Sequence, residues 1–256
     1  MLGLLTNVVL ADKPKPKFKP NINESKEYEN VIHSPAADST PKVFRSVLQM
    51  EIVVKRGEKE PEIIYANGTA ISKEGLLVSV VDEPRPKADA LSIESASVLL
   101  LGGEGAEAEL ISFDPTYGVA IFDAKGLTTP RLRLSNAPPV ANRRTNWSTV
   151  YRAGEKTILY SRPLRIHKST FKHGEAADLC EVIDHGTSAL TAERSGSAIV
   201  AYDGSLVALM GRLKHWNVTP KNVKPRYKTA WAVPASVIKR LVQQAEKEAS
   251  AKTAAK

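Results

Sequence analysis

The sequence predicts an all-β protein, a barrel or sandwich closed by one C-terminal helix, and three observations carry that expectation. About a dozen short apolar runs follow one another from residue 43 to residue 234, each of strand length and bounded by Gly, Pro, Asn or Asp. Aromatic residues make up only 6% of the chain, so the core rests on Val, Ile, Leu and Ala, and the branched members cluster in those runs. Only the stretch after Pro234 carries apolar residues at helical spacing.

In chain order, MLGLLTNVVLA (1 to 11) is apolar and ends in Val9-Leu10-Ala11, a small-residue spacing like that before a signal-peptidase cut, and reads as the stump of a secretory signal. It predicts an exported protein, periplasmic or extracellular, whose mature chain starts near Asp12. Residues 12 to 42 alternate Lys, Pro, Asn, Glu and Ser and describe a flexible leader with too little apolar surface to fold. The folded unit is expected over 43–244. Its strands are VLQMEIVV, EIIYANGTAIS, LLVSVV, SVLLL, AELISF, VAIFDA, WSTVYRA, TILYSRPLRI, LCEVI, SAIVAY, SLVALMG and TAWAVP. Asp203-Gly204 between two of them is a hairpin signal. Gly102-Gly103-Glu104-Gly105 is a turn and not a phosphate loop, because no Gly-Lys-Ser/Thr follows it. Val237, Ile238, Leu241 and Val242 define the helix, and residues 245–256 are expected to be a disordered tail.

The chain carries a net charge of +8, but its lysines are dispersed over KPKPKFKP (13 to 20), RLKHWNVTPKNVKPRYK (212 to 228) and the last ten residues. Dispersed lysines without a reading motif argue against a dedicated nucleic-acid binder. The single Cys180 excludes an internal disulfide, and its neighbours LCEVI place it inside a strand. No run reaches the length of a membrane-spanning helix. Neither a cofactor motif nor a metal-ligand spacing is present.

Four segments, in order, resemble the trypsin-like serine protease domain, closest to the bacterial HtrA/Deg type. ANGTAISKEGLLVSVVDE (66 to 83) resembles the stretch that ends in Thr-Asn-x-His. EAELISFDPTYGVAIFDAKGL (107 to 127) resembles the segment in which an Asp-Pro turn leads to Asp-Leu-Ala. ERSGSAIVAYDGSLVALMG (193 to 211) resembles Gly-Asn-Ser-Gly-Gly-Pro-Leu with the hairpin after it. TAWAVPASVIKRLV (229 to 242) resembles the closing Gly-Phe-Ala-Ile-Pro and its helix. The resemblance implies two six-stranded antiparallel β-barrels, the first over about 43–137 and the second over about 145–234, and a polypeptide or protein as the partner.

Carried over position by position, the nucleophile falls on Ser195, the catalytic His on Asp82, the catalytic Asp on Gly118 and the oxyanion Gly on Glu193. A serine hydroxyl attacks a carbonyl usefully only when a neighbouring base takes its proton. At neutral pH a carboxylate is a far weaker base than an imidazole, and a glutamate beside the oxyanion site opposes the developing charge. His33 lies in the leader and His167 and His173 near a hairpin of the second barrel, which leaves His185 and His215 as candidates for a displaced base. The resulting expectation is a catalytically inactive homologue, a pseudoprotease with a peptide-binding or structural role. The alternatives are an active serine endopeptidase with an altered triad and a basic adaptor for nucleic acid or another polyanion. If the carry-over is right, Asp82→His with Gly118→Asp is expected to rebuild the triad.

Overall fold

The computed structural model describes residues 43–254 apart from 44, 73, 88–90, 100–104, 140–146, 154–157, 185–194, 202 and 212–227. The segments expected to be a signal stump and a leader, and most of the Gly102–Gly105 turn, therefore lie outside the described residues.

The first unit holds seven strands: β1 (Val47–Lys55), β2 (Glu62–Ala70), β3 (Leu76–Val80), β4 (Ser92–Leu99), β5 (Gly105–Glu107), β6 (Glu109–Asp114) and β7 (Val119–Asp123). They hydrogen-bond in the order β5-β4-β1-β2-β3-β7-β6. Only Ala108 separates β5 from β6, and its N–H donates to Ala96 O of β4 at 2.9 Å. The two outermost strands are thus one bent segment, paired at one end with β4 and at the other with β7, and the sheet curls back on itself. A period of two explains the inside: Leu48, Met50, Ile52 and Val54 of β1 join Ile64, Ala66, Leu77 and Phe122 in one buried cluster.

The second unit is a closed barrel of six antiparallel strands, β8 (Trp147–Ala153), β9 (Ile158–His173), β10 (Ala176–Asp184), β11 (Ala198–Val200), β12 (Leu206–Met210) and β13 (Lys228–Pro234), in the order β10-β13-β12-β11-β8-β9. Ile166, Cys180, Val182, Ile199 and Met210 fill it. Cys180 is fully buried, and burial pushes its thiol up to about 12. The Asp203-Gly204 hairpin joins β11 to β12 as expected, with the Asp203 carboxylate accepting from Ser205 N at 3.0 Å and Ser205 Oγ at 2.6 Å.

A third cluster lies between the barrels. Val78, Val80, Val119 and Ile121 from the outside of β3 and β7 meet Leu209, Trp231 and Val233 of the second barrel and Val237, Ile238, Leu241 and Val242 of the helix. That helix, α1, spans Ala235–Ala254 and so corrects the expected disordered tail: it runs on past Gln244. Its apolar stripe ends at Ala245, but the residues that follow are strong helix formers, and Gln244 donates to Glu248 one turn on at 3.0 Å.

Candidate functional site

The barrel junction is where the carried-over positions converge. β3 ends at Val80, and the chain then lies against the turn before β7: Val81 N–H and Asp82 N–H both donate to Gly118 O, at 2.8 and 3.4 Å. Asp82 is 4% exposed. One guanidinium nitrogen of Arg56, Nη2, sits 3.0 and 3.1 Å from its two carboxylate oxygens, and Arg85 Nε lies 3.4 Å from Oδ2. Arg56 comes from the end of β1, while Arg85 is held in place by its own N–H bonding to Pro115 O at 2.9 Å. A carboxylate withdrawn from water needs such partners, so both Asp82 oxygens are committed to cations.

Gly118 faces Asp82 through its backbone alone. Its φ is +65°, in the left-handed region, and a Cβ built on it would stand 2.0 Å from Asp82 O. No L side chain enters that space without moving one of two packed turns. This corrects the expectation that Gly118→Asp with Asp82→His rebuilds a triad: the Asp cannot be seated on this backbone.

Ser195 opens the turn before β11 and is 1% exposed. Its Oγ donates to Val80 O at 2.6 Å, and its carbonyl accepts from Asn67 N of β2 at 2.7 Å. The next residue, Gly196, has φ +75°, donates its N–H to Met210 O at 2.8 Å, and lies so close to β2 that a Cβ would stand 2.0 Å from Asn67 O. The Ser195–Gly196 turn is therefore pinned to the first barrel at β2 and β3, two residues short of Asp82. In this arrangement the serine proton points at an amide carbonyl, which does not act as a base.

Arg56 and Arg85 were not foreseen from the sequence. Arg56 sits in KRGEKEPE, where charge is dense and nothing marks which side chain turns inward. A second bracket was also missed: Arg240 of α1 donates to Tyr117 Oη at 2.8 Å and lies 3.8 Å from Asp178, tying the turn before β7 to the second barrel and the helix. His173, at the end of β9, stacks on Trp231 at 5.9 Å and Phe171 at 6.4 Å; burial lowers its pKa, opposed by nearby Glu83. Glu193, His185 and His215 lie outside the described residues. Among the described residues no cluster of His, Cys, Asp and Glu could hold a metal ion, and no helix is long and apolar enough to cross a membrane.

Two antiparallel barrels, each with its own core and joined by an apolar cluster against which a helix packs, make the trypsin-like fold in its HtrA-like form. The chain superposes on a serine endoprotease from Yersinia pestis with a TM-score of 0.58 and 12% identity, over 85% of this chain and 69% of that one. It superposes on the HtrA-type protease AlgW, solved with a decapeptide, at 0.57 and 14%, over 84% of this chain and 68% of that one. For Rv3671c of M. tuberculosis, a serine-to-alanine mutant in its inactive form, the values are 0.55 and 15%, over 84% of this chain and 97% of that one. At these identities the likeness is one of fold. No protein-family model and no curated protein matches the chain.

Proposed function

We propose that this chain is a catalytically inactive homologue of the trypsin-like serine proteases, exported, whose scaffold binds a polypeptide or holds a structure together. The observation that carries the reading is the fate of position 82. Where the resemblance puts the general base stands a buried carboxylate neutralised by Arg56 and Arg85. The hydroxyl of Ser195 bonds to Val80 O instead of to a base, and Gly118 has no side chain to orient one. Without proton transfer and orientation the serine is an ordinary alcohol. That AlgW was solved with a decapeptide supports a polypeptide as the occupant of this fold's cleft.

A serine-reactive fluorophosphonate is expected to leave Ser195 unlabelled, with casein cleavage no faster than in Ser195→Ala. Labelling at Ser195 together with cleavage overturns the reading in favour of the altered-triad peptidase, with His185 or His215 as the base to seek. Export rests on residues 1–11 and is tested by the N-terminus of the natively produced protein. A start near Asp12 in the exported fraction supports it, and intact Met1 in the cytosol refutes it.

A further inference from the structure

The outer face of the first barrel carries a surface that the junction does not use. Because Met50, Ile52, Ile64 and Ala66 point inward, Gln49, Glu51 and Val53 of β1 and Ile63 and Tyr65 of β2 point out. Strand register arranges the outward residues in rows. Glu107, Ser97, Glu51 and Tyr65 stand side by side across β5, β4, β1 and β2, and Ser95, Val53 and Ile63 form the next row. Ile63 and Tyr65 are 57% and 45% exposed, far above the buried norm for such side chains. Val53 and Glu51 separate them from the short side chains of Ser95 and Ser97.

The charged groups in the row of Tyr65 are carboxylates. Glu107 is exposed and Glu51 is half-buried. Among the described residues of β1 the outward cation is Lys55, at the far end of the strand opposite Ser92. On a chain of net charge +8 this is an acidic patch beside exposed aliphatic and aromatic carbon. Its chemistry repels phosphate and matches a ligand that brings ammonium donors together with apolar side chains. Successive rows are about 7 Å apart, the spacing of alternate side chains in an extended peptide. We propose that this face docks an extended, lysine-rich segment of a partner polypeptide, with its lysines on Glu51 and Glu107 and its apolar residues on Ile63 and Tyr65. The site stands whether or not the Ser195 junction is catalytically silent.

The test uses the full chain and a fluorescein-labelled peptide alternating lysine with valine and phenylalanine, followed by anisotropy. Saturable binding that weakens with added salt is expected, with a counterpart carrying glutamate for lysine failing to bind. Ile63→Ser and Glu51→Lys should each weaken binding about tenfold, and Ile111→Ser, which alters an exposed apolar residue on β6, should leave it unchanged. A photo-crosslinker placed at Ile63 in the otherwise natural chain should capture the peptide. Equal binding of the glutamate peptide, or natural affinity in both Ile63→Ser and Glu51→Lys, overturns the proposal. Crosslinking of the chain's own residues 13–20, or of a second copy, in preference to the peptide overturns the choice of occupant.

Discussion

If Ser195 is a fastener between the barrels, replacing it must cost stability. Ser195→Ala removes a fully buried donor 2.6 Å from Val80 O and leaves that carbonyl facing a methyl group. The net value of a neutral hydrogen bond is about 0.5–1.5 kcal/mol, and a buried polar group left without its partner costs about 1–3 kcal/mol, so a loss near 2 kcal/mol is expected. For a domain of this size that is a fall in Tm of roughly 4–8 °C, equivalent to about a thirtyfold change in the folding constant. Urea unfolding followed by the fluorescence of buried Trp231 measures it, with Ser92→Ala as the control. Ser92 Oγ makes a bond of the same type to Lys55 O at 3.2 Å, but in an exposed position, and its loss should stay within about 0.5 kcal/mol. A working nucleophile behaves differently, because active-site residues are held at the expense of stability and their removal is often neutral or stabilising. A Ser195→Ala protein as stable as the natural one, or more so, would refute the fastener.

Other perturbations read the same junction. Arg56→Ala should cost about 2–3 kcal/mol, since Asp82 keeps Arg85 as its one cation, and a double-mutant cycle with Asp82→Ala should return a coupling above about 1 kcal/mol in denaturant unfolding. Cys180 should resist iodoacetamide at pH 8 until the chain unfolds, because its thiol is buried and pushed up to about 12; labelling faster than global unfolding would contradict this. His173 has its pKa lowered from 6.5 by burial, so below that value the unfolded chain binds the proton more readily. Stability should therefore fall as pH drops from 7 to 5, and His173→Gln should flatten that fall. Nucleic-acid binding, measured by filter retention, should be weak, indifferent to sequence and lost as salt rises.

Much of the fold was legible because strands advertise themselves. The twelve apolar runs became strands since β-branched residues at alternate positions suit a half-buried pleated surface, and the Asp203-Gly204 turn fixed one hairpin locally. The strand β5 was not legible, because Gly105–Glu107 has no apolar period and pairs only as the continuation of β6. The length of α1 was missed for a related reason. An amphipathic stripe shows where a helix packs, and beyond Ala245 the helix continues on propensity, with no core to report it. At the junction, residue types could be laid onto the resemblance in order, which brought 82, 118 and 195 to one place. What the side chains do there depends on Arg56, 26 positions away in sequence, and on a Val80 carbonyl that every residue possesses. Backbone acceptors and long-range ion pairs leave no mark in a local pattern.

The residues at 82 and 118 are also not independent of one another. Gly118 O takes the N–H of both Val81 and Asp82, which requires the turn before β7 to press its backbone against residue 82. The positive φ at 118 and the 2.0 Å gap where a Cβ would stand follow from that closeness. An aspartate at 118 would meet two obstacles: steric overlap with Asp82 O, and a second carboxylate beside one already buried, which raises the cost of ionising either. The pair therefore makes sense only together, a carboxylate at 82 served by arginines and a bare backbone at 118 making room for it. The consequence is measurable. Gly118→Ala alone, which adds no charge, should destabilise the fold by more than about 3 kcal/mol through overlap and left-handed strain, and Asp82→Ala should not relieve it, because the clash is with the backbone oxygen and not the side chain. Full rescue of Gly118→Ala by Asp82→Ala would mean that the side chains, and not the packed backbones, set the geometry of the junction.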